Sequence, residues 1–330
     1  MVFKAFLIEQ CEGRVAGRLA AIEESQLDAG EVTIAVAWSG VNYKDALAAT
    51  GAGRIIRRFP CIGGIDLSGT VVKSESRDFQ PGDQVLATSY DIGVAHHGGF
   101  AELARIPATW VYKLPDGLDL RSAMALGTAG FTAGLAVARM EQNGLLPANG
   151  PVVVSGATGG VGSIAVEILA KSGYEVHALT GKADAVDYLK ELGAAEVMLR
   201  SSLNLAKIKP LDKALWAGAV DNLGGEVLAW MASTMKQAGT IASIGLAASM
   251  EINTTVAPFI LRGVSLLGID SGYIGDPLRA EVWRRLGADW KPERVIAQAR
   301  TIEFGQLPEV FDDFLQSRVT GRVVVRIANS

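Results

Sequence analysis

The chain has very few cysteines, because only Cys11 and Cys61 occur among its 330 residues. Two thiols can form at most one bridge, so the fold cannot depend on a disulfide framework. They are also too few for a structural zinc site built from four thiolates. We therefore expect both cysteines to be reduced, structural thiols of a cytoplasmic protein.

Long apolar runs and an excess of one charge are missing as well. Lys4 and Glu9 interrupt the apolar N-terminus, so we expect no signal peptide, and no later run approaches the ~20 apolar residues that span a bilayer. The formal net charge is −4, and the lysines and arginines are dispersed along the chain. This pattern disfavours nucleic acid and membrane surfaces as partners and favours a small molecule.

The residues that are abundant indicate a globular α/β protein of two domains. Hydrophobic residues make up 49% of the chain and charged residues 20%, and its 38 glycines suit many tight turns. A length of 330 residues exceeds the ~250–300 at which a single core usually stops growing. In the first third, Val32, Ile34, Val36 and Trp38 recur at period two, which predicts a strand in a β-rich domain.

The second domain is predicted to begin near Ser122, where a helix rich in small residues starts. Strand-like and helical runs alternate after it, which is typical of a doubly wound parallel sheet with helices on both faces. After Pro258 the chain is expected to return to the first domain. The predicted domains are therefore residues 1–121 with 258–330, and residues 122–257, the latter a Rossmann-type nucleotide-binding domain.

The stretch V-V-V-S-G-A-T-G-G-V-G, residues 152–162, predicts a phosphate-binding turn between a buried strand and a helix. Glycines permit the tight turn, the close approach of a pyrophosphate and close packing of the helix on the strand. Free N–H groups and the positive dipole at the start of the helix then bind the phosphates. The expected binding residues are Gly156, Thr158, Gly159, Gly160, Val161 and Gly162. The alternative is a turn that binds nothing.

The residues after the next strand indicate which dinucleotide binds. An NAD site usually has an acidic residue there, which binds the ribose hydroxyls. This chain has Thr180, Gly181 and Lys182 instead, and a hydroxyl, a free backbone and a cation suit the 2′-phosphate of NADP(H). Arg200, after the following strand, is a second candidate cation. The alternative for both cations is an ordinary solvated position on the surface.

Three segments, G-V-N-Y-K-D-A-L, A-L-G-T-A-G-F-T-A and S-G-A-T-G-G-V-G, together resemble the medium-chain dehydrogenase/reductase superfamily. The stretches N-Y-K-D-A-L-A-A-T-G, G-G-I-D-L-S-G-T-V, P-F-I-L-R-G-V-S-L-L-G-I-D-S and T-G-R-V-V-V are similar to its acryloyl-coenzyme A reductase branch, a neighbour of the quinone reductases. The resemblance extends over nearly the whole chain. It implies a GroES-like fold for the β-rich catalytic domain and a homodimeric enzyme.

Zinc-containing members of the superfamily have a cysteine where this chain has Asn42, and Gly-His-Glu where it has Gly-Ile-Asp at residues 64–66. An isoleucine cannot bind a metal ion. The adjacent His96 and His97 are unsuitable too, because neighbouring residues of an extended chain rarely bind one ion. We therefore expect a metal-free enzyme that reduces an activated double bond rather than one that oxidises alcohols.

The resemblance implies reduction of acryloyl-CoA to propionyl-CoA, with hydride added at Cβ and a proton at Cα. The thioester carbonyl activates the alkene, so the protein has to orient the reactants and supply the proton. Tyr43 is implied to lie beside the nicotinamide, where its phenol or a water molecule donates the proton. Asn42 is implied to form hydrogen bonds nearby, and Asp45 to cap or anchor the loop.

The resemblance also implies further contacts with the cofactor. They are Thr128 at the nicotinamide ribose, Leu246, Ile260 and Ser271 around the nicotinamide, and Arg318 as a cation, with Arg322 as its lower-ranked competitor. Two other functions stay open. One is an NADPH:quinone reductase, and the other is a non-catalytic NADPH-binding protein, against which the retained N-Y-K-D segment argues.

Overall fold

The computed structural model describes residues 1–328 of the chain. The strands are β1 (Val2–Cys11), β2 (Arg14–Glu23), β3 (Val32–Val41), β4 (Cys61–Ile62), β5 (Asp66–Ser74), β6 (Gln84–Thr88), β7 (Leu103–Ile106), β8 (Val111–Lys113), β9 (Val152–Ser155), β10 (Val176–Thr180), β11 (Glu196–Leu199), β12 (Trp216–Asp221), β13 (Met235–Ser243), β14 (Ser265–Gly268), β15 (Arg300–Glu303) and β16 (Val323–Arg326). The α-helices are α1 (Tyr43–Thr50), α2 (Leu120–Gln142), α3 (Gly160–Lys171), α4 (Val186–Glu191), α5 (Gly225–Thr234), α6 (Ala257–Arg262), α7 (Leu278–Leu286), α8 (Glu293–Gln298) and α9 (Leu307–Leu315).

The first of two compact units comprises Met1–Thr128 and the segment that begins at Gln298. One of its sheets has the strand order β15-β16-β3-β5-β6-β8 with β7 paired to β3, and the other has the order β2-β1-β4. In β3 the side chains of Val32, Ile34 and Val36 are buried, as their alternation predicts. Trp38 departs from this pattern because the pairing of β3 with β5 shifts register between Val36 and Trp38. The β-rich domain is thus confirmed.

The second unit, Ala129–Ala297, contains a six-stranded parallel sheet in the order β11-β10-β9-β12-β13-β14. Its first strand, β9, pairs with β10 on one side and with β12 on the other, so the strand order reverses beside β9. Such a reversal is the point at which doubly wound sheets bind their ligands, outside the carboxyl ends of the strands. The predicted Rossmann-type fold is confirmed, and the glycine loop follows β9 at this reversal.

The boundary between the units differs from the predicted one. Residues 258–297 were expected in the first domain, but the structure includes them in the second unit. The reason is that β14 extends the parallel sheet, with Ile241 of β13 opposite Leu266. A short strand of apolar and polar residues can join either kind of sheet, and the sequence does not distinguish them. The chain returns to the first unit only with β15 and β16.

Helix α2 is longer and more apolar than any run predicted from the sequence. It has 23 residues, and the mean hydropathy of its most apolar window is 1.2, which suits a membrane span by length and composition alone. However, 89% of that window is buried inside the protein, as in a core helix. Gly127 also interrupts the helix, because its φ of 53° and ψ of −152° are not helical.

Candidate active site

The glycine loop has the geometry of a phosphate-binding turn. Strand β9 ends at Ser155, Gly156 adopts a positive φ of 57°, and α3 begins at Gly160. A Cβ atom at Gly162 would lie 2.3 Å from the carbonyl oxygen of Gly156, so only glycine fits there. No side chain caps the start of α3 at Gly159, which leaves its first N–H groups available for an anion.

Exposure within the loop varies among the predicted binding residues. Gly159 is exposed and Gly160 and Val161 are half-exposed, whereas Thr158 is buried. The accessible part is therefore the first turn of α3. This part presents backbone N–H groups rather than side chains, as a pyrophosphate requires.

A buried carboxylate that was not predicted from the sequence binds the residue at which this loop begins. Asp221, at the end of β12, accepts hydrogen bonds from the Ser155 hydroxyl at 2.8 Å and from the Gly224 N–H at 2.9 Å. The Asn222 side chain donates to the Ser155 carbonyl at 2.7 Å. Burial raises the pKa of Asp221, and these hydrogen bonds oppose the rise. The available signal was an acidic residue that ends an apolar strand, A-G-A-V-D.

The predicted 2′-phosphate residues follow adjacent strand ends. Thr180 of β10 lies opposite Leu199 of β11, so Lys182 and Arg200 both follow the carboxyl edge of the sheet. Thr180 is buried, and its hydroxyl accepts the Lys182 N–H at 3.0 Å, so it orders the turn. Lys182 is half-buried, and burial lowers the pKa of its ammonium group. Gly181 and Arg200 are exposed.

In the first unit, Asn42 immediately precedes helix α1, whose first residue is Tyr43. The Tyr43 side chain is 48% exposed, whereas Asn42 is buried. The amide nitrogen of Asn42 donates to Asp66 Oδ2 at 2.8 Å and to Asp45 Oδ2 at 3.2 Å, and its oxygen accepts from Arg322 Nη1 at 3.2 Å. The amide of Asn42 is therefore committed to neighbouring side chains, and Tyr43 is the accessible member of the pair.

Two buried carboxylates hold this turn. Asp45 accepts the N–H of Asn42 at 2.8 Å and that of Ile65 at 3.0 Å, which anchors the loop as expected. Burial and the charge of Asp66 raise the pKa of Asp45 to about 7. Burial also raises the pKa of Asp66, although hydrogen bonds from Thr128 and Asn42 oppose that rise. Both carboxyl groups are therefore harder to ionise here than an aspartate in water.

Thr128 belongs to the same group of side chains. Its hydroxyl donates to Asp66 Oδ1 at 2.5 Å, and its N–H donates to the same oxygen at 2.9 Å. The two arginines that the resemblance offered are placed differently. Arg318 lies on the surface and pairs with Asp313 at 2.8 Å, whereas Arg322 is buried against the Asn42 turn.

The residues at the zinc positions do not fit a zinc ion. Ile65 is apolar and buried, and the side chains of Asn42 and Asp66 bind each other. Within residues 1–328 there is no group of three or more His, Cys, Asp or Glu side chains that could hold a metal ion. The two adjacent histidines contact the backbone, His97 Nδ1 accepting the Ile62 N–H at 3.0 Å and His96 Nε2 lying 3.1 Å from the Ala29 oxygen.

The remaining predicted contacts belong to the second unit. Leu246 and Ile260 expose 60% and 72% of their surface, unusually much for large apolar residues. Ser271 accepts a hydrogen bond from the Thr132 hydroxyl at 2.7 Å. The buried side chain of Arg279 donates to the Ser271 carbonyl at 2.8 Å and so fixes the backbone at Ser271.

Two protein families match the chain. Residues 28–116 match the alcohol dehydrogenase GroES-like domain, and residues 160–288 match the zinc-binding dehydrogenases. With the relatives described next, these matches show that the chain belongs to the medium-chain dehydrogenase/reductase superfamily. The protein is therefore an oxidoreductase by class. Although one of the two families is named for zinc binding, the residues at positions 42, 65 and 66 of this chain do not fit a zinc ion.

Relatives of similar length confirm the resemblance to the acryloyl-CoA reductase branch. The acrylyl-CoA reductase AcuI of Ruegeria pomeroyi is 43% identical over 328 residues, which cover 99% of each chain. The crystal structure of the YhdH oxidoreductase of Salmonella enterica, in complex with NADP, has a TM-score of 0.95 at 46% identity and covers 98% of this chain and 100% of that one. Bacillus subtilis YhfP, which is named a quinone oxidoreductase and was crystallised with NAD bound, has a TM-score of 0.96 at 47% identity and covers 99% of both chains.

We expect Gly127→Ala to destabilise the first unit strongly. The new Cβ atom would lie 2.3 Å from Asp66 Oδ2, in a backbone conformation that alanine rarely adopts. The free energy of unfolding should fall by more than the ~1–3 kcal/mol that backbone strain alone costs. Gly82→Ala is the matched control, because Gly82 also has a positive φ but no atom within 4 Å of its Cβ position. Equal decreases in the thermal midpoint of the two variants would contradict this prediction.

Proposed function

We propose that this protein is an NADPH-dependent acryloyl-CoA reductase, which converts acryloyl-CoA to propionyl-CoA without a metal ion. The observation that carries the proposal is the combination of a phosphate-binding glycine loop at the reversal of the sheet with a zinc position closed by Asn42 and Asp66. The first feature suits a dinucleotide, and the second removes Lewis-acid activation by zinc. The 43% identity with an acrylyl-CoA reductase along the whole chain supports the substrate.

The choice of NADPH rests on the residues at the carboxyl ends of β10 and β11. The first N–H groups of α3 would hold the pyrophosphate, and Lys182 and Arg200 would hold the 2′-phosphate. Relatives of comparable identity were crystallised with NADP or NADPH in two cases and with NAD in one. These complexes and the cations of this chain both support NADPH.

NADPH, when bound, supplies the hydride that adds to Cβ of the enoyl thioester. The chain has to hold the thioester in line with that hydride, exclude water and provide a proton to Cα of the enolate that forms. Tyr43 is our candidate for this proton transfer, because it is half-exposed at the start of α1 and its backbone is fixed by the Asn42 turn. Its phenol donates the proton directly or through one water molecule. Asn42 then acts by holding Tyr43.

Two other functions are weighed against this proposal. A quinone reductase shares the metal-free fold, and YhfP, at 47% identity, is named as one. A non-catalytic NADPH-binding protein would need the glycine loop but not the turn around Asn42. The buried hydrogen bonds that maintain this turn support catalysis.

We also propose a cytoplasmic homodimer. Strand β14 is the edge strand of the parallel sheet, and its outer side carries no further strand in the described part of the chain. Several large apolar side chains near it are exposed, among them Ile260, Leu261 and Leu266. An uncovered edge with apolar neighbours suits a second copy of the chain.

The function is tested by assaying NADPH oxidation with acryloyl-CoA, longer enoyl thioesters and a small quinone side by side. We expect acryloyl-CoA to have the highest kcat/KM, and identification of propionyl-CoA as the product would complete the test. A higher kcat/KM with the quinone would overturn the proposal in favour of a quinone reductase. No oxidation of NADPH with any acceptor, despite measurable NADPH binding, would indicate a non-catalytic protein.

Lys182→Ala should weaken the binding of NADPH much more than the binding of NADH. A charge-assisted hydrogen bond contributes ~1.5–3 kcal/mol, and each ~1.4 kcal/mol is a factor of ten in affinity. We therefore expect the Kd for NADPH to rise about tenfold or more, and the Kd for NADH to stay nearly constant, in fluorescence titrations. The control is Lys207→Ala, which removes an exposed lysine of the same unit. If the binding of both dinucleotides weakens equally, the substitution disturbs the shared pyrophosphate site. If the binding of neither weakens, Arg200 is the remaining candidate for the 2′-phosphate.

Tyr43→Phe should lower kcat while leaving the Kd for NADPH nearly unchanged. The hydroxyl is proposed to act in proton transfer, and a positioned general acid contributes roughly 10²–10⁴-fold to the rate. We expect a loss of kcat at the lower end of that range, since water can replace part of the transfer. Tyr112→Phe is the control, because it removes a hydroxyl from β8 of the same unit. An unchanged kcat would leave Tyr43 as a wall of the site.

A further inference from the structure

The guanidinium group of Arg322 is enclosed by two segments of the first unit. Only 3% of the residue is exposed, although its side chain carries a full charge. Its Nε donates to the Ala125 carbonyl at 2.7 Å, and its Nη1 lies 3.3 Å from the Val41 carbonyl and 3.2 Å from Asn42 Oδ1. Ala125 belongs to α2, and Val41 ends β3. Arg322 thus connects a helix to the strand that leads into the Asn42 turn.

The interruption of α2 explains why these carbonyl groups are available. In a continuous helix the Thr128 N–H would donate to the Met124 carbonyl, but Gly127 breaks the helix and the Thr128 N–H donates to Asp66 instead. The Nη2 group of Arg322 lies 3.5 Å from the Met124 oxygen that is released. A cation therefore lies at the C-terminal end of one helical segment and an anion at the N-terminal end of the next, where each helix dipole favours it.

Both charged groups close around the same two glycines. A Cβ atom at Gly40 would lie 2.8 Å from Asp66 Oδ2 and 3.1 Å from Arg322 Nη2, and one at Gly127 would lie 2.3 Å and 3.2 Å from these atoms. The Asn42 amide then joins the two groups, since its nitrogen donates to Asp66 and its oxygen accepts from Arg322. The orientation of Asn42 is determined by this pair.

We propose that Arg322 is a positioning residue which, through Asn42, holds Tyr43 at the start of α1 for the proposed reduction. The side chains of Asn42 and Asp66 bind each other, and the guanidinium group of Arg322 supplies positive charge beside this buried carboxylate. The proposal rests on the proposed function for its catalytic consequence only.

The test uses Arg322→Met, which removes the charge, Arg322→Lys, which keeps the charge without the planar fork, and Asn42→Ala. The control is Arg326→Met, because Arg326 also lies on β16 but is only half-buried and pairs with Glu303 at 3.2 Å. Each variant is assayed well below its own thermal midpoint for kcat and KM with acryloyl-CoA, and for the Kd of NADPH. Hydrogen exchange of the amides of residues 42–50 is measured independently of activity.

We expect Arg322→Met to lower kcat roughly 10- to 100-fold, the cost of misplacing a reacting group by ~1 Å. The Kd for NADPH should stay within about twofold, since the glycine loop and the proposed 2′-phosphate cations Lys182 and Arg200 belong to the second unit. Exchange in residues 42–50 should be faster than in the control, and Arg322→Lys should restore part of kcat. Because both residues act on the same turn, Arg322→Met combined with Asn42→Ala should be no worse than the poorer single variant.

A lower thermal midpoint with unchanged kcat and unchanged exchange in residues 42–50 would overturn the proposal, because Arg322 would then only stabilise the fold. If Arg322→Met does not fold, Arg322→Lys and Asn42→Ala decide by the same measurements. If the unmodified protein does not reduce acryloyl-CoA, the proposed function fails, and the exchange of residues 42–50 still decides whether Arg322 holds the turn.

Discussion

The buried carboxylate of Asp66 accepts hydrogen bonds from the N–H and the hydroxyl of Thr128 and from the amide of Asn42. An ionised carboxylate out of water is several kcal/mol less stable unless it is paired and fully hydrogen-bonded, so each of these partners is needed in its place. The requirement extends outwards to Gly127, which leaves room for the carboxylate, and to Arg322, whose charge favours its ionised form. The turn that presents Tyr43 depends on this arrangement.

The second unit uses the same device at a different place. Asp221 is buried at the end of β12 and accepts hydrogen bonds from Ser155, at the end of β9, and from the Gly224 N–H. The glycine loop, which follows β9, is thereby joined to the loop that follows the adjacent strand β12. Because the phosphate-binding N–H groups belong to the backbone, a fixed loop is what makes them a fixed binding site. Both candidate sites thus rest on a buried acid that binds backbone and side-chain donors from separate segments.

Much of the fold and part of the site were predictable from local patterns. Alternation in β3 and the glycines of residues 152–162 depend on neighbours in the sequence, and the structure agrees with both. The domain boundary was misplaced at Pro258 because β14 has only four residues, and nothing in so short a strand specifies which sheet it joins. Thr180 was expected to present its hydroxyl to a ligand, and the structure adds a local role that the sequence did not show, because this hydroxyl accepts the Lys182 N–H.

The sequence by itself determined the two kinds of sheet and the phosphate-binding turn after β9, because each of these follows from residue types at short spacing, and its resemblance to the superfamily implied the loss of the zinc ligands at positions 42 and 65. Only the tertiary structure decided which charged groups meet. Arg322 and Asn42 are distant in the chain, and they become neighbours because β16 pairs with β3, with Val323 opposite Val41. Strand pairing of this kind is set by the packing of whole elements rather than by local residue preferences. Asp66 and Asp221, which hold the candidate sites, were for that reason visible in the sequence only as acidic residues at the ends of apolar strands.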